Sequence, residues 1–274
     1  MADKEFSAEE FMAGRSRKDF LAPGNPKSHI KKIIAVMSGK GGVGKSMVAS
    51  ELAVALNAAG KKVGILDADI TGPSIPKAFR LRDISASEDG MLPAETLLGI
   101  KVMSLNLLME DETTPVIWRG PVIAGTVKQF WTDVVWGDLD VLIIDMPPGT
   151  GDVPLTVFQS FPVDGVVIVT SPQELVAMIV EKAVRMAQEM NIPVLGLIEN
   201  MSYIRCPHCG KPIYVFGDSH VDDIADRYGI EVLEKIPMDP VLAKASDEGK
   251  IETTGVPYFE QSAERILQEL AEQG

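Results

Sequence analysis

The sequence predicts an α/β fold, a doubly wound, mostly parallel sheet with helices on both faces. Three observations predict this fold. Short, continuous apolar runs recur along the chain, segments with helical spacing of apolar residues separate them, and a glycine-rich loop joins the first run to the first helix. Continuous apolar runs are typical of strands that are covered on both faces, as in parallel sheets. Strand–helix alternation over the whole length indicates that the sheet is doubly wound.

The apolar runs and stripes give the predicted elements in order. Strands are expected at residues 33–36, 63–66, 102–105, 141–144, 166–169 and 194–198. Helices are expected at residues 48–59, with Gly60 at the C-cap position, at 174–190 and at 257–272. Residues 1–29 mix charges with Gly and Pro and are predicted to be a mobile N-terminal tail. Because no repeat or low-complexity linker follows, residues 30–274 are predicted to form a single domain.

Composition narrows the class of protein. The 274 residues carry 26 Lys+Arg and 39 Asp+Glu, a net charge of −13, which argues against a nucleic-acid or membrane partner because such surfaces need clustered Lys and Arg. Residues 1–20 are too polar for a signal peptide, and no apolar run reaches the roughly 18–20 residues of a membrane span. Two cysteines cannot build a secreted disulfide framework. We therefore expect a soluble protein of the reducing cytoplasm.

A glycine-rich octapeptide, GKGGVGKS, occupies residues 39–46 directly after the first predicted strand. Its glycines fit the dinucleotide fingerprint G-x-G-x-x-G, with Asp67 at the spacing of a ribose-binding acid. The same residues fit the mononucleotide P-loop G-x-x-x-x-G-K-[ST]. Lys45 and Ser46 favour the second interpretation, because a triphosphate loop needs them and a dinucleotide loop does not. The loop predicts a P-loop NTPase that binds ATP and Mg²⁺.

Each residue of this loop has an expected role. Backbone N–H groups wrap the phosphates where no side chain blocks their approach. Lys45 is expected to reach the β- and γ-phosphates, and the hydroxyl of Ser46 to ligate Mg²⁺. The predicted nucleotide-binding residues of the loop are Gly39, Lys40, Gly41, Gly42, Val43, Gly44, Lys45, Ser46 and Met47.

Carboxylates at strand ends complete the predicted catalytic site. Asp145 follows the run 141–144 and is expected to hold Mg²⁺ through water, while Gly149 in the next turn presents its N–H to the γ-phosphate. Asp67 and Asp69 lie two residues apart in an extended segment and can share one face, where they would position the metal and the attacking water. The alternatives are an N-cap for Asp145 and a turn-forming pair for Asp67 and Asp69.

The extra lysine in the loop, Lys40, carries the first family resemblance. The form GKGGVGKS resembles the signature loop of the deviant P-loop ATPases, the group of MinD, ParA and the nitrogenase iron protein. The resemblance implies that Lys40 contacts nucleotide across a dimer interface, where a cation neutralises transition-state charge as an arginine finger does. A solvated loop lysine is the alternative.

Further segments resemble the Mrp/ApbC family of iron–sulfur cluster carriers. They lie in the family's order within residues 30–250, at 66–76, 118–121, 136–140, 144–152 and 199–203. The resemblance implies a homodimer in which Asn200 contacts the adenine edge and the loop 236–240, with Pro237 and Asp239, lies beside the base. Asn suits adenine because its amide donates and accepts at once. Without the resemblance, Asn200 reads as a strand-end turn residue.

The two cysteines form a C-x-x-C pair, Cys206 and Cys209, within the sequence CPHCGKP. A redox pair is disfavoured because Gly210 and Pro212 oppose the helix that would stabilise a thiolate, and one chain lacks the second pair of a zinc ribbon. A structural turn and an intermolecular site remain. Two chains could bring four thiolates around a [4Fe–4S] cluster or zinc. The family resemblance favours the cluster, with His208 as a neighbour rather than a ligand.

Together these features predict a dimeric carrier that binds and slowly hydrolyses ATP, and that transfers a [4Fe–4S] cluster from scaffold proteins to apo-proteins. The expected catalytic residues are Lys40, Lys45, Asp67, Asp69 and Asp145. One alternative is a MinD/ParA-like positioning ATPase, which would need a basic amphipathic C-terminus. Residues 257–274 have four glutamates and one arginine, which disfavours binding to anionic surfaces. The other alternative is a zinc-stapled, nucleotide-dependent switch.

Overall fold

The computed structural model describes residues 20–69, 74–108, 120–172, 176–217, 219–255 and 258–272. Several predicted features lie outside these ranges: residues 1–19 of the tail, 70–73 of the acidic segment, the pair Trp118-Arg119, and residue 257 of the C-terminal helix.

An eight-stranded sheet forms the centre of the described structure. Its strand order is β12-β9-β8-β1-β7-β2-β6-β5, and its neighbours run parallel except the edge pair of β5 and β6. The strands of the described residues are β1 His29–Met37, β2 Val63–Asp67, β3 Ser85–Ser87, β4 Gly90–Leu92, β5 Ala94–Glu95, β6 Lys101–Ser104, β7 Asp138–Asp145, β8 Gly165–Thr170, β9 Val194–Glu199, β10 Ile204–Arg205, β11 Pro212–Ile213 and β12 Val232–Lys235. The predicted doubly wound, mostly parallel sheet is confirmed.

Helices connect the strands. Within the described ranges they are α1 Lys45–Ala58, α2 Ser74–Ala78, α3 Gly120–Thr132, α4 Asp152–Ser160, α5 Val176–Glu189, α6 Val221–Tyr228, α7 Pro240–Glu248 and α8 Glu260–Glu272. The predicted stripes at 48–59 and 174–190 correspond to α1 and α5. The stripe at 257–272 becomes helical only from Glu260.

The six apolar runs all form strands of the central sheet, and one ends earlier than predicted. The run 102–105 stops at Ser104 because Leu105 begins a short 3₁₀ helix, Leu105–Leu108. The strands that the sequence did not predict are short or lie at an edge. Strand β12 (Val232–Lys235) has two apolar residues followed by two charged ones, so it lacks the continuous apolar run that marks the inner strands.

Burial on both faces explains those continuous runs. In β1 the side chains of Ile33 and Ala35 join the hydrophobic core on one face of the sheet, and those of Ile34 and Val36 join the core on the other face. Since successive side chains of a strand point to opposite faces, a strand covered twice needs apolar residues at every position.

Helix α1 begins and ends at glycines with left-handed backbone. Gly44 precedes it with φ +80°, and Gly60 follows it with φ +78°. The N–H of Gly60 donates to the carbonyl of Asn57, and the N–H of Lys61 donates to that of Leu56, which satisfies the last carbonyls of the helix. The C-cap itself is Ala59, so the predicted C-cap glycine lies one residue further along, where its left-handed backbone turns the chain out of the helix.

The N-terminal segment makes ordered contacts before residue 30, the domain boundary that the sequence predicts. Ala22 is buried, its N–H donates to the carbonyl of Ser160, and its carbonyl accepts from the indole N–H of Trp131 at 2.9 Å. Strand β1 also starts at His29 rather than at Ile33. Residues 22–29 thus belong to the packed part of the chain rather than to a tail.

Among the described residues, we find no helix with both the length and the apolarity that crossing a membrane requires.

The packing of α1 predicts a large cost for truncating its buried face. Leu52 is fully buried in the core beneath the sheet, so we expect Leu52→Ala to lower the free energy of unfolding by about 2–5 kcal/mol. Leu97 is 89% exposed, and Leu97→Ala should change it by less than about 0.5 kcal/mol. Urea unfolding followed by circular dichroism measures both. Equal effects of the two substitutions would contradict the assignment of α1 to the core.

A buried carboxyl on α1 predicts a pH-dependent stability. Burial raises the pKa of Glu51 from 4.5 to about 7, against a hydrogen bond from Thr254 that lowers it. Because the pKa is raised on folding, ionisation of Glu51 disfavours the folded state, and its contribution to stability is lost as pH rises from about 4.5 to about 7. We expect Glu51→Gln to gain about 2 kcal/mol of unfolding free energy relative to wild type between pH 5 and pH 8. Glu269→Gln, on the exposed side of α8, is the control, and an unchanged pH profile in Glu51→Gln would contradict the prediction.

Candidate functional site

The predicted carboxylates meet at the carboxyl edge of the sheet. Asp67 ends β2 and Asp145 ends β7, and the two residues are direct partners in the parallel register of these strands. Strand β1, on the other side of β7, leads into the glycine-rich loop. The fold thus brings the phosphate loop and both strand-end carboxylates to one crevice, where open α/β sheets bind ligands.

Lys45 lies at the centre of this crevice. Its side chain is 5% exposed, and its Nζ donates to Asp145 Oδ1 at 2.5 Å. Asp69 Oδ2 lies 3.6 Å from the same nitrogen, and the hydroxyl of Ser46 lies 3.3 Å from it. The predicted catalytic residues are therefore neighbours, except that Lys40 is exposed on the loop.

Asp67 is held in place by donors from two segments. Ser104 Oγ, at the end of β6, donates to Asp67 Oδ2 at 2.8 Å, and the backbone N–H of Asp69 donates to Oδ1 at 3.1 Å. Burial raises the pKa of Asp67 well above its ordinary value, and the nearby carboxylate of Asp145 raises it further, while the bond from Ser104 and the charge of Lys45 lower it. A nearby cation would stabilise the ionised form of this carboxyl group.

Asp145 carries an oxygen that lacks a partner. Its Oδ2 is buried and has no hydrogen bond among the described residues, whereas Oδ1 accepts from Lys45. Burial raises the pKa of Asp145, and Lys45 and Ser46 oppose that shift. A buried, unpaired carboxylate oxygen beside a serine hydroxyl fits a Mg²⁺ ion or its bound water, because Mg²⁺ takes oxygen ligands and is commonly bound through one or two carboxylates and phosphates.

Gly149, in the turn that follows Asp145, does not present its N–H to the crevice. The N–H of Gly149 donates to the carbonyl of Ser38 at 2.8 Å, and Gly149 has φ +87°. The expectation that it contacts a γ-phosphate is not met in this conformation, because the donor is already paired. Such a contact requires this turn to shift and release Ser38.

A cleft of about 480 Å³ opens beside the phosphate loop. The predicted residues Met47, Asn200, Pro237 and Asp239 all lie on its walls. Its other lining residues are Gly44, Met201, Met238, Pro240, Leu242, Ala243, Ser246 and Asp247. Its walls are mainly apolar with a few polar groups, which suits a nucleotide base.

Asn200 joins this cleft to the phosphate loop. Its Nδ2 donates to the carbonyl of Val43 at 2.9 Å, and the side chain is 2% exposed. A Cβ on Gly44 would stand 2.2 Å from the same nitrogen, and Gly44 has φ +80°. Both the space and the backbone conformation therefore require glycine at position 44. Asn200 therefore both bonds to the loop through its amide and lines the cleft.

The two cysteines lie on a small hairpin built from β10 and β11. The N–H of Cys206 donates to the carbonyl of Lys211, and the N–H of Gly210 donates to the carbonyl of Cys206, each at 2.9 Å. The backbone N–H of His208 lowers the pKa of Cys206, and the N–H and thiol of Cys209 lower it further. Two N–H groups directed at one sulfur stabilise a thiolate, the form that binds metal.

The hairpin carries two thiols, half of the four ligands that a tetrahedral metal site needs. Cys206 is half-buried and Cys209 is exposed, and both are free thiols. Across the described ranges, no group of three or more His, Cys, Asp and Glu side chains could hold a metal ion. Further ligands for a thiolate site must come from outside these residues of one chain.

Apolar side chains surround the cysteines. The exposed members are Ile204, Ile213, Tyr214, Val215 and Phe216, all of which are at least 36% exposed. The five residues flank the C-x-x-C loop on both sides in sequence. Ile204 and Ile213 are direct partners in the register of β10 and β11, and Tyr214, Val215 and Phe216 follow at once in the chain. We refer to these five residues as the hairpin patch.

Sequence reasoning missed several residues of the site. Ser104 holds Asp67, Met201 lines the cleft, and Glu199 accepts hydrogen bonds from serines on both sides of the cysteine loop. Ser104 could have been found as a polar residue at a strand end on the same sheet edge. Met201 has φ +58°, a backbone conformation that the sequence around it does not predict.

Comparison with known proteins finds a matching family model and similar proteins that have names. The family model described as "ParA: NUBPL iron-transfer P-loop NTPase" matches residues 29–273. A protein of Methanocaldococcus jannaschii named iron-sulfur cluster carrier protein is 51% identical over 225 residues, which are 81% of this chain and 78% of that protein. A protein of the same name from Clostridium perfringens is 47% identical over 238 residues, 84% of each chain.

Solved structures with the same fold include nucleotide complexes. A nucleotide-binding protein from Archaeoglobus fulgidus, in complex with ADP and with cobalt found in it, is 49% identical, with a TM-score of 0.76 over 84% of this chain and 91% of that chain. The septum site-determining protein MinD from Pyrococcus horikoshii, with Mg-ADP, is 22% identical, with a TM-score of 0.58 over 89% of this chain and 99% of that chain. The second likeness is one of fold alone.

The contact between Gly44 and Asn200 predicts that the loop tolerates no side chain there. We expect Gly44→Ala to weaken nucleotide binding by about tenfold or more, because the new Cβ displaces the Asn200 amide and strains the loop. Titration with a fluorescent ADP analogue measures the affinity. Gly125→Ala, at a helical glycine with open space around its Cβ, is the control and should bind normally. Wild-type affinity in Gly44→Ala would show that the contact is dispensable.

Proposed function

The chain belongs to the family of ParA/NUBPL-type iron-transfer P-loop NTPases, as its motifs predict, and from that premise we propose that it is an ATP-hydrolysing, homodimeric carrier of a [4Fe–4S] cluster. The observation that carries the proposal is the pairing of a P-loop crevice with a cysteine hairpin that offers two thiols and no further ligand. Relatives at about half identity are named iron-sulfur cluster carrier proteins, which supports the same cargo for this chain.

The nucleotide half of the proposal rests on charge. Loop N–H groups and Lys45 bind the phosphates of ATP, and the base occupies the cleft beside Asn200, Pro237 and Asp239. Lys45 now neutralises Asp145 and Asp69, so phosphates that enter compete with these carboxylates for its ammonium group. The relative from Archaeoglobus fulgidus is described in complex with ADP, which supports this placement.

Hydrolysis in this site is the attack of water on the γ-phosphorus with loss of ADP. Ser46 and Asp145 would hold Mg²⁺, which supplies charge neutralisation to the phosphates. Asp67 and Asp69 position the water, and Lys45 stabilises the charge that develops on the transferred group. The water proton leaves with the phosphate product or passes to a carboxylate. Because burial raises the pKa of Asp67, that residue is a suitable acceptor.

The cluster half of the proposal needs a second chain. Four thiolates from two hairpins satisfy one [4Fe–4S] cluster, and the hairpin patch provides apolar surface for the contact. In this arrangement Lys40, which is exposed on the loop, contacts the nucleotide of the partner subunit. We further propose that the chain works in the cytoplasm as one domain and delivers its cargo from scaffold proteins to apo-proteins.

The cysteines and the P-loop are expected to act separately. In the double variant Cys206→Ser/Cys209→Ser, anaerobic reconstitution with iron and sulfide should give no visible charge-transfer absorption and no transfer to an apo-protein. Nucleotide affinity should stay within about twofold of wild type, because the hairpin lies outside the phosphate loop. His208→Ala is the matched control and should load a cluster normally. Equal loss of cluster and nucleotide binding would contradict the division.

The same reconstitution distinguishes a [4Fe–4S] cluster carrier from a zinc-stapled switch. Iron and sulfide at one cluster per dimer, measured by metal analysis and by light scattering, supports the carrier. Zinc at one per dimer, with no charge-transfer absorption, indicates a zinc-stapled switch. A permanent monomer in the presence of nucleotide and iron would contradict the proposal, because half of the coordination sphere would then lack ligands.

A further inference from the structure

A buried carboxylate, Glu199, holds both ends of the loop that carries the cysteines. Glu199 ends β9 and is 1% exposed. Its Oε2 accepts a hydrogen bond from the hydroxyl of Ser202 at 2.5 Å, and its Oε1 accepts one from the hydroxyl of Ser219. Ser202 precedes the cysteine hairpin and Ser219 follows it. One side chain therefore fixes the two points at which the hairpin leaves and rejoins the body of the protein.

The same strand end is paired with the wall of the nucleotide cleft. The N–H of Ile236 donates to the carbonyl of Glu199, and the N–H of Ser202 donates to the carbonyl of Ile236, each at 2.8 Å. One step further, the N–H of Met238 donates to the carbonyl of Tyr203 at 2.8 Å. The cleft wall at 237–239 and the stem of the hairpin therefore form one hydrogen-bonded unit.

Asn200 connects this unit to the phosphate loop. It directly follows Glu199, its N–H donates to the carbonyl of Thr170 at 2.9 Å, and its side chain donates to the carbonyl of Val43 in the loop at 2.9 Å. A loop that rearranges around phosphates moves the carbonyl of Val43. The displacement reaches Glu199 through a single peptide bond.

The cost of burial makes this carboxylate sensitive to its partners. A buried carboxylate is stable only when its oxygens are hydrogen-bonded, and bonds to a charged acceptor are stronger than neutral ones. Glu199 has one serine on each oxygen, one from each stem of the hairpin. If the strand end shifts, both stems must follow, because an oxygen that lost its serine would be left buried and unpaired.

We propose that Glu199 is a positioning residue that transmits the occupancy of the nucleotide cleft to Cys206 and Cys209 through Ser202 and Ser219. The inference rests on the proposed function in that it takes the cleft as the nucleotide site and the thiols as the metal site. It adds the route by which one site acts on the other. No contact of Glu199 with nucleotide or metal is involved.

The test measures the reactivity of the thiols in the metal-free protein. The rate of alkylation by iodoacetamide is followed under anaerobic conditions without nucleotide, with Mg-ADP, and with a non-hydrolysable ATP analogue and Mg²⁺. In wild type, we expect at least one nucleotide to change the rate by about fivefold. In Ser219→Ala the difference should disappear while nucleotide affinity stays within about twofold of wild type. The melting temperature should fall, because Glu199 Oε1 loses its donor and stays buried. Ser219→Thr keeps the hydroxyl and should restore the nucleotide response.

A matched control tests whether loss of any buried serine–glutamate hydrogen bond would abolish the nucleotide response. Ser262 is fully buried and its hydroxyl lies 3.4 Å from a carboxylate oxygen of Glu234, so this pair joins α8 to β12 and includes neither stem of the hairpin. Ser262→Ala should keep the wild-type nucleotide response. Loss of the response in Ser262→Ala, or its persistence in Ser219→Ala, would overturn the proposal. Glu199→Gln is a second test. One of the two accepting oxygens becomes an NH₂ group, which donates, and the charge that strengthens both serine bonds is lost, so the response should weaken.

Failure of the inference is distinguishable from failure of the proposed function. Nucleotide affinity and cluster loading are measured on the same protein. Bound nucleotide and a loaded cluster, with thiol rates that ignore the nucleotide, overturn the role of Glu199 and leave the carrier intact. Absence of nucleotide binding, or a chain that takes up no cluster, contradicts the carrier itself.

Discussion

The buried ammonium group of Lys45 and the carboxylates around it are the interaction on which the site depends. One cation lies within 3.6 Å of Asp145 and Asp69, and Asp67 is close enough to interact with it electrostatically. Burial raises the pKa of Asp67 and of Asp145, and neighbouring carboxylates raise both further. The single positive charge of Lys45 opposes these shifts but cannot balance three carboxylates. The crevice thus favours a further cation, and the unpaired Oδ2 of Asp145 gives that cation a ligand. A nucleotide that arrives with Mg²⁺ brings both the anion that Lys45 can bind and the cation that the carboxylates need.

Parallel strand order is what concentrates these groups. Strands β1, β7 and β2 are neighbours and run in the same direction, so the phosphate loop, Asp145 and Asp67 emerge at one edge of the sheet. The loop itself is possible only because Gly44 combines a left-handed backbone with the absence of a Cβ, which lets Asn200 approach it. The glycine therefore serves two sites at once. It is the N-cap of α1, and it allows the strand end of β9 to contact the loop.

The cysteine hairpin depends on the sheet in a different way. Its own hydrogen bonds shape the turn and lower the pKa of Cys206, but its position is set by the end of β9 and by the wall of the base cleft. This arrangement connects the cysteine hairpin and the wall of the cleft to one short hydrogen-bonded segment, from Glu199 to Tyr203. The exposed apolar residues beside the cysteines then leave the missing ligands to a second molecule.

The sequence by itself determined the features that rest on local chemistry. Continuous apolar runs gave the six inner strands, the spacing of glycines with Lys45 and Ser46 gave the phosphate loop, and the C-x-x-C spacing gave the thiol pair, because each depends on neighbours within a few residues. Motif resemblance placed Asn200, Pro237 and Asp239 beside the base, and all three line the cleft. Only the tertiary structure decided which distant groups meet. The bond of Ser104 to Asp67, the bond of Gly149 to Ser38, the bond of Ala22 to Ser160 and the two serines on Glu199 join residues up to 138 positions apart. Sheet order and burial determine these pairs, and they could not be predicted because a local sequence pattern contains no information about distant partners.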